Sequence, residues 1–211
     1  MKRNLAAKLS VTFGDDMSRI GKKPIDLPIG VKALVANNVI TVEGAKGKLT
    51  LNIPPKFKVD VKDNKVTVMR PSDAKQDKAT HGLIRSLINN MAIGVSAGYT
   101  KELEISGVGF KAAVQPAPVG ADGKPGGKIL NLQLSYTHPI NFNIPDGVTV
   151  ETPKPTNIVI KGIDKTKVGE AAAKIRDYYR PEPYKGKGIK YVGEHVKRKA
   201  GKSVTGTGGT A

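Results

Sequence analysis

Short segments in which apolar and polar residues alternate fill much of the first half of the chain. They are rich in β-branched residues, are separated by glycine, proline or an Asp-Asn pair, and cover residues 39–43, 48–53, 57–61 and 65–69. Alternation over roughly four to eight residues indicates a strand with one buried face. The pattern therefore predicts an antiparallel meander, in which each strand pairs with the next.

The apolar period lengthens after Asp73, from two residues to about 3.6 residues. Apolar side chains then share one helical face, at Ala79, Leu83, Leu87, Met91 and Val95. A face of this width is typical of a helix that covers a sheet. We expect Ser72 or Asp73 to cap the start of this helix, and Gly94 and Gly98 to mark its end.

The second half of the chain repeats this order of elements. Strands are predicted over residues 101–106, 108–115, 129–134, 140–144, 148–152 and 157–161. A helix is predicted over about 165–178, with Asp164 as its cap. A loop rich in glycine and proline, 116–127, interrupts the strands, and the regular pattern ends at Tyr178.

Matching residues in the two halves lie 91 or 92 positions apart. The matches are Asn52-Ile53-Pro54 with Asn143-Ile144-Pro145, Val66-Thr67-Val68 with Ile158-Val159-Ile160, Asp73 with Asp164, and Ile84-Arg85 with Ile175-Arg176. Several matches in one order indicate a duplicated domain, with two unrelated strand–helix units of similar patterning as the alternative. The predicted fold class is α+β, with two homologous domains in tandem, 17–98 and 99–179, each of small antiparallel β-sheets packed on one α-helix.

The composition favours two small cores and a polyanionic partner. Of the 211 residues, 38% are hydrophobic but only 5% are aromatic and none is Trp, which suits two aliphatic cores better than one large core. The 35 basic residues exceed the 18 acidic residues, so the formal net charge is +17. A protein this far from neutrality either has a polyanionic partner or tolerates its own charge repulsion, and nucleic acid is the leading candidate for such a partner.

Simple counts exclude several other classes of protein. The chain has no cysteine, which excludes disulfides, thiolate zinc sites, iron–sulfur clusters and cysteine nucleophiles. No apolar stretch approaches the ~18 residues of a membrane-spanning helix, so no membrane partner is expected. The chain has a basic start, but Lys8 interrupts the apolar stretch that would form a signal-peptide core. Residues 1–16 are therefore predicted to be an unstructured extension before a natural start at Met17, with a short organelle presequence as the alternative.

Neither a catalytic motif nor a metal site stands out. Gly107 and Gly109 resemble part of a dinucleotide fingerprint, but a strand rather than a helix follows them. A phosphate loop around Lys202 would require glycine where Val196 stands. The three histidines are far apart in sequence and have no ligand pattern near them. We therefore predict no catalytic residue, no metal and no cofactor.

The chain beyond the second helix, 180–211, is predicted to be a basic nucleic-acid-binding tail. Residues 180–202 contain eight basic and two acidic residues. Lysines neutralise phosphates, glycines let a backbone approach them closely, and tyrosine rings stack on unpaired bases. The candidate binding residues are Arg180, Tyr184, Lys185, Gly186, Lys187, Gly188, Lys190, Tyr191, Lys197 and Arg198. A solvated basic tail without a defined partner is the alternative.

Three segments, residues 17–25, 107–111 and 180–191, carry a family resemblance. They are similar to the bacterial-type large-subunit ribosomal protein L6 family, and the resemblance runs in order over about 17–200. The segment 180–191 matches that family's signature without a gap, and the family's two homologous domains agree with the repeat. Residues 1–16, the long loop 116–127 and the end of the chain, 205–211, depart from the family pattern.

The resemblance implies a structural, non-enzymatic constituent of the large ribosomal subunit. Members of the family bind large-subunit rRNA of the 23S type with the second domain and the tail, near the sarcin–ricin loop and the stalk base. The implied partners are this rRNA, the neighbouring large-subunit proteins of the stalk base, and the translational GTPases that dock nearby. The implied location is the ribosome in the cytoplasm, with an organellar ribosome as the alternative. The residues alone leave open a DNA-binding architectural (nucleoid) protein and a phosphate-handling enzyme.

Overall fold

The computed structural model describes residues 21, 23–62, 64–116 and 127–201. The predicted extension 1–16, most of the loop 116–127 and the end of the predicted tail lie outside these residues. The described chain forms two successive units, each with two antiparallel sheets and one helix. This arrangement confirms the α+β class and the two homologous domains in tandem.

The first unit divides six strands between two three-stranded sheets. Its elements are β1 (Ile25–Asp26), β2 (Lys32–Ala36), β3 (Val39–Gly44), β4 (Gly47–Asn52), β5 (Lys58–Lys62), β6 (Lys65–Met69) and helix α1 (Lys75–Ser96). One sheet has the order β1-β6-β5 and the other β2-β3-β4. The predicted meander is wrong at one point, because β4 and β5 belong to different sheets. Pro54 and Pro55 lie between them, and proline cannot donate to a ladder of hydrogen bonds.

The second unit has the same plan with one additional strand. Its elements are β7 (Tyr99–Ser106), β8 (Lys111–Pro116), β9 (Lys128–Gln133), β10 (Ile140–Asn143), β11 (Val148–Lys154), β12 (Asn157–Gly162), helix α2 (Lys165–Asp177) and β13 (Gly188–Tyr191). The sheets have the orders β10-β9-β8 and β11-β12-β7-β13. In the part of the chain that the structure describes, no helix is long and apolar enough to cross a membrane.

The strand orders of the two units correspond. The order β1-β6-β5 matches β7-β12-β11, and β2-β3-β4 matches β8-β9-β10. Residues that repeat in the sequence occupy equal places in the two cores. Val66 and Ile158 are fully buried on the central strands, and Ile84 and Ile175 are buried on the helices. The spacing recurs because each helix covers its sheet with the same face.

The two helices begin differently. The Asp164 side chain accepts a hydrogen bond from the backbone N–H two residues later, at 2.8 Å, and caps α2 as predicted. Ala74 precedes α1 and no side chain caps that helix, so the expected cap at Ser72 or Asp73 is wrong. Asp73 instead forms an ion pair with the arginine that follows β6.

A short strand extends the second unit beyond its predicted end at residue 179. β13 pairs antiparallel with β7, with Gly188 opposite Ser106. Ile189 is fully buried in the second core. Burial of an isoleucine side chain stabilises a fold by about 1.5–3 kcal/mol. Part of the predicted tail is therefore anchored in the sheet.

The two units meet where α1 ends. The Tyr99 hydroxyl donates to the Asn90 carbonyl oxygen at 3.0 Å, and Lys165 Nζ donates to the Asn90 side-chain oxygen at 3.3 Å. Ile163, just before α2, packs on the core of the first unit. Gly94 lies inside α1 rather than at a frayed end, and its missing side chain leaves room for the Ile163 carbonyl. These contacts join the two units directly.

Candidate nucleic-acid interface

A tight loop, 182–187, precedes β13. The Glu182 N–H donates to the Lys187 carbonyl oxygen at 2.8 Å, and the Gly186 N–H donates to the Glu182 carbonyl oxygen at 3.0 Å. The φ of Gly186 is +73°, in the left-handed region that glycine adopts without steric cost. The loop is therefore fixed by its own backbone, and its lysines project from a defined turn.

A second loop, 192–199, packs on the first. The Lys199 N–H donates to the Pro183 carbonyl oxygen at 2.8 Å. The Arg198 guanidinium lies beside Gly186, with Nη2 3.3 Å from the position that a Cβ on this glycine would take. The two loops therefore present their side chains from one surface of the second domain.

This surface carries the exposed cations. Six of the ten predicted binding residues have exposed side chains: Arg180, Tyr184, Lys185, Lys187, Lys197 and Arg198. Lys199 is also exposed, and the sequence prediction omitted it although it stands in the same basic run. We define the basic face as Arg180, Lys185, Lys187, Lys197, Arg198 and Lys199.

One member of the basic face has an acidic neighbour. Arg180 Nε lies 2.9 Å from Asp177 Oδ1, and the arginine side chain is 70% exposed. Exposed ion pairs of this kind contribute about 0–1 kcal/mol, because water and salt screen them. Arg180 can therefore exchange Asp177 for a phosphate at little cost in free energy.

The structure buries both candidate glycines, Gly186 and Gly188, against neighbouring parts of the chain. Gly188 has a φ of +138°, and a Cβ there would stand 2.8 Å from the Arg180 carbonyl oxygen. Gly186 lies under the Arg198 side chain. The two glycines allow the chain to pack on itself, and through that packing they shape the basic face.

Lys190 and Tyr191 belong to the folded sheet and are only partly exposed. Lys190 Nζ lies 3.2 Å from Glu104 Oε2 on the neighbouring strand β7. The Tyr191 ring lies 5.8 Å from Lys101 Nζ and 5.7 Å from the Arg176 guanidinium carbon. Both residues already make charged or ring contacts within the second domain.

An ion pair fastens the second loop to helix α2. Arg176 donates two hydrogen bonds to the Glu194 carboxylate, at 2.6 and 3.2 Å, and the Tyr191 N–H donates a third at 2.9 Å. Both side chains of the pair are about a quarter exposed. The hydrogen bonds from Arg176, followed by the one from the Tyr191 backbone, hold the pKa of Glu194 below its usual range. The loop that carries Lys197 and Arg198 is thereby tied to the core.

A cavity of about 570 Å³ lies between the loops. Its lining residues are Ser106, Gly186, Lys190, Glu194, His195, Val196, Lys197 and Arg198. Among the residues that the structure describes, no group of three or more His, Asp or Glu side chains could hold a metal ion. The cavity has three cations against one carboxylate, which suits it to an anion.

Comparison with known proteins identifies the family. A family model described as ribosomal protein L6 matches residues 27–98 and 115–192. The large ribosomal subunit protein uL6 of Trichlorobacter lovleyi is 51% identical over 187 residues, which is 89% of this chain and 98% of that protein. The proteins of the same name from Syntrophus aciditrophicus and Clostridium acetobutylicum are each 50% identical over 188 residues, 89% of this chain and 99% of theirs. The chain therefore belongs to the ribosomal protein L6 family, whose members are structural proteins and not enzymes.

Proposed function

We propose that this protein is a structural constituent of the large ribosomal subunit that binds large-subunit rRNA with the basic face. The observation that carries the proposal is the joining of two loops, with five exposed cations, into one surface beside the exposed Arg180. Relatives with about half of their residues identical are named large ribosomal subunit proteins, which supports the same assembly for this chain.

The basic face binds through the sugar–phosphate backbone. Each cation that neutralises a phosphate releases condensed counterions, and this release drives association at low salt. On folded RNA, such contacts read the shape of the backbone more than the identity of the bases. Because β13, the closed loops and the Arg176–Glu194 ion pair fix the backbone that carries the cations, little backbone conformational entropy is lost when the loops meet RNA.

The first domain gives the complex a fixed geometry. The contacts of Asn90 with Tyr99 and Lys165 hold the two domains in one arrangement. Two domains in a fixed relation keep the RNA helices that they contact at a fixed separation. The protein thus has a structural role in the subunit, as a rigid connection between RNA helices.

The site on the subunit follows from the family resemblance of residues 180–191. We place the protein near the sarcin–ricin loop and the stalk base, beside neighbouring large-subunit proteins and close to the docking site of translational GTPases. On this proposal the protein functions in the cytoplasm, in ribosomes.

Sedimentation combined with crosslinking tests the proposal. The full chain should sediment with large subunits in a high-salt gradient, and crosslinks from the basic face should map to large-subunit rRNA. A variant in which exposed first-domain lysines are replaced by Gln controls for the loss of positive charge outside the basic face. This variant should sediment with large subunits as the wild type does. A chain that instead sediments with DNA, and is released by DNase, would support a nucleoid protein and refute the proposal.

A further inference from the structure

Tyr136 is an exposed aromatic ring that the structure holds in one orientation. Its hydroxyl donates to the Tyr178 carbonyl oxygen at 2.9 Å, and its ring meets the Tyr179 ring edge to face at 5.8 Å between centroids. The residue nevertheless stays 47% exposed. It lies in the connection between β9 and β10, and it is not one of the binding residues predicted from the sequence.

The ring ends a row of three packed aromatic side chains. Behind Tyr136, the Tyr179 ring meets Phe110 edge to face at 5.3 Å. Phe110 belongs to the second core and lies against Gly107, where a Cβ would stand 2.6 Å from the Phe110 ring. Tyr136 is thus supported from the core outward, so its rotamer freedom is already lost before any partner arrives.

This row lies beside the basic face. Tyr178 and Tyr179 directly precede Arg180, and the Tyr179 carbonyl oxygen accepts a hydrogen bond from the Ile189 N–H of β13 at 2.8 Å. The exposed ring is therefore close to the point where the exposed cations begin. A flat apolar surface beside cations matches the chemistry of an unpaired nucleotide, which presents a π-face next to a phosphate.

We propose that Tyr136 stacks on an unpaired base of the rRNA that the basic face binds. The proposal rests on the proposed function, because it needs RNA on the neighbouring cations. It adds a contact of a different physical kind, since ring stacking is independent of charge and extends the interface from phosphates to a base.

The affinity of the full chain for a large-subunit rRNA transcript, measured at several salt concentrations, tests the proposal. Tyr136→Leu should weaken binding by on the order of tenfold, because an aromatic stack is lost. The slope of log K against log salt should stay the same, because no charge changes. Tyr136→Phe keeps the ring and loses only the bond to Tyr178, so it should bind nearly as the wild type does.

Fluorescence gives a second readout that does not depend on affinity. The chain has no Trp, so Tyr136→Trp introduces a single indole reporter at this position. Its emission should be quenched when rRNA binds. The control is Leu34→Trp on β2 of the first domain, where the side chain is 63% exposed and the emission should not change.

The outcomes separate this proposal from the proposed function. Wild-type binding with a steep salt dependence, together with unchanged affinity for Tyr136→Leu or unchanged emission for Tyr136→Trp, overturns the stacking role and leaves the basic face intact. Equal losses for Tyr136→Phe and Tyr136→Leu would show that the hydroxyl supports the fold, and would also overturn stacking. A wild-type chain that does not bind rRNA overturns both proposals.

Discussion

Replacement of Glu194 by Gln should loosen the loop that carries Lys197 and Arg198. The carboxylate accepts three hydrogen bonds, two from Arg176 and one from the Tyr191 backbone. Gln keeps one acceptor oxygen but removes the charge and the two-point pairing with the guanidinium. Arg176, only a quarter exposed, then keeps its positive charge but loses the carboxylate that is hydrogen-bonded to it.

The expected loss follows from the geometry and the exposure. Hydrogen bonds to charged groups contribute about 1.5–3 kcal/mol each when buried, and less where water screens them. For a pair that is a quarter exposed, we expect a loss of about 1–2 kcal/mol in the free energy of unfolding. In a protein of this size, that loss lowers Tm by about 2–8 °C.

The effect of Glu194→Gln should depend on pH. The pKa of Glu194 is lowered in the folded state, chiefly by the hydrogen bonds from Arg176. A lowered folded-state pKa adds stability that is complete above the unfolded-state pKa and disappears as the pH falls through the folded-state pKa. The wild type and the variant should therefore differ most at neutral pH and converge in acid.

Urea unfolding at neutral pH and in acid measures this difference. Glu170→Gln is the matched control, because Glu170 forms an exposed (i, i+4) pair with Lys174 on the same helix as Arg176. The control should unfold as the wild type does. Equal stability of Glu194→Gln and the wild type at neutral pH, or a difference that persists undiminished in acid, would refute the role of this ion pair.

Two glycine substitutions test packing elsewhere, each by urea unfolding. Gly188→Ala should cost about 1–3 kcal/mol, because its Cβ would meet backbone atoms and its φ is +138°; wild-type stability would show that the start of β13 is not packed as described. Gly94→Ala should destabilise the junction, since its Cβ would overlap the Ile163 carbonyl. Gly169→Ala, inside α2, should instead raise the free energy of unfolding by about 0.5–1 kcal/mol, because its Cβ would have no neighbour within 4 Å. A similar change in stability for both alanine variants would show that Gly94 does not pack on Ile163 at the junction.

The sequence predicts the duplicated strands and helices because their periodicity and their burial have one cause. Val66 and Ile158, or Ile84 and Ile175, repeat at fixed spacing since each fills the same place in its core. β13 could not be predicted in this way. Its four residues are too few to show a period, and its pairing with β7 joins parts of the chain more than 80 residues apart.

The sequence predicts that the candidate RNA-binding segment is basic, but it does not predict how the side chains of that segment are arranged. A count of lysines and arginines locates the basic segment, whereas only the fold shows that Lys190 faces Glu104 and that Gly188 lies against the preceding turn. Tyr136 gives no local signal, because a single tyrosine between two strands is common in any sheet. The orientation of its ring depends on contacts with Tyr178 and Tyr179, which lie more than 40 residues further along the chain.

The salt dependence of rRNA binding tests the central claim most directly. The test variant replaces three lysines of the basic face by Gln: Lys185, Lys187 and Lys197. The matched control replaces three exposed lysines of the first domain by Gln: Lys48, Lys56 and Lys58. If the basic face holds phosphates, the test variant should flatten the slope of log K against log salt by about two to three units, and the control should keep the wild-type slope. Equal slopes for the test variant and the wild type, or equal flattening in test and control, would contradict the account.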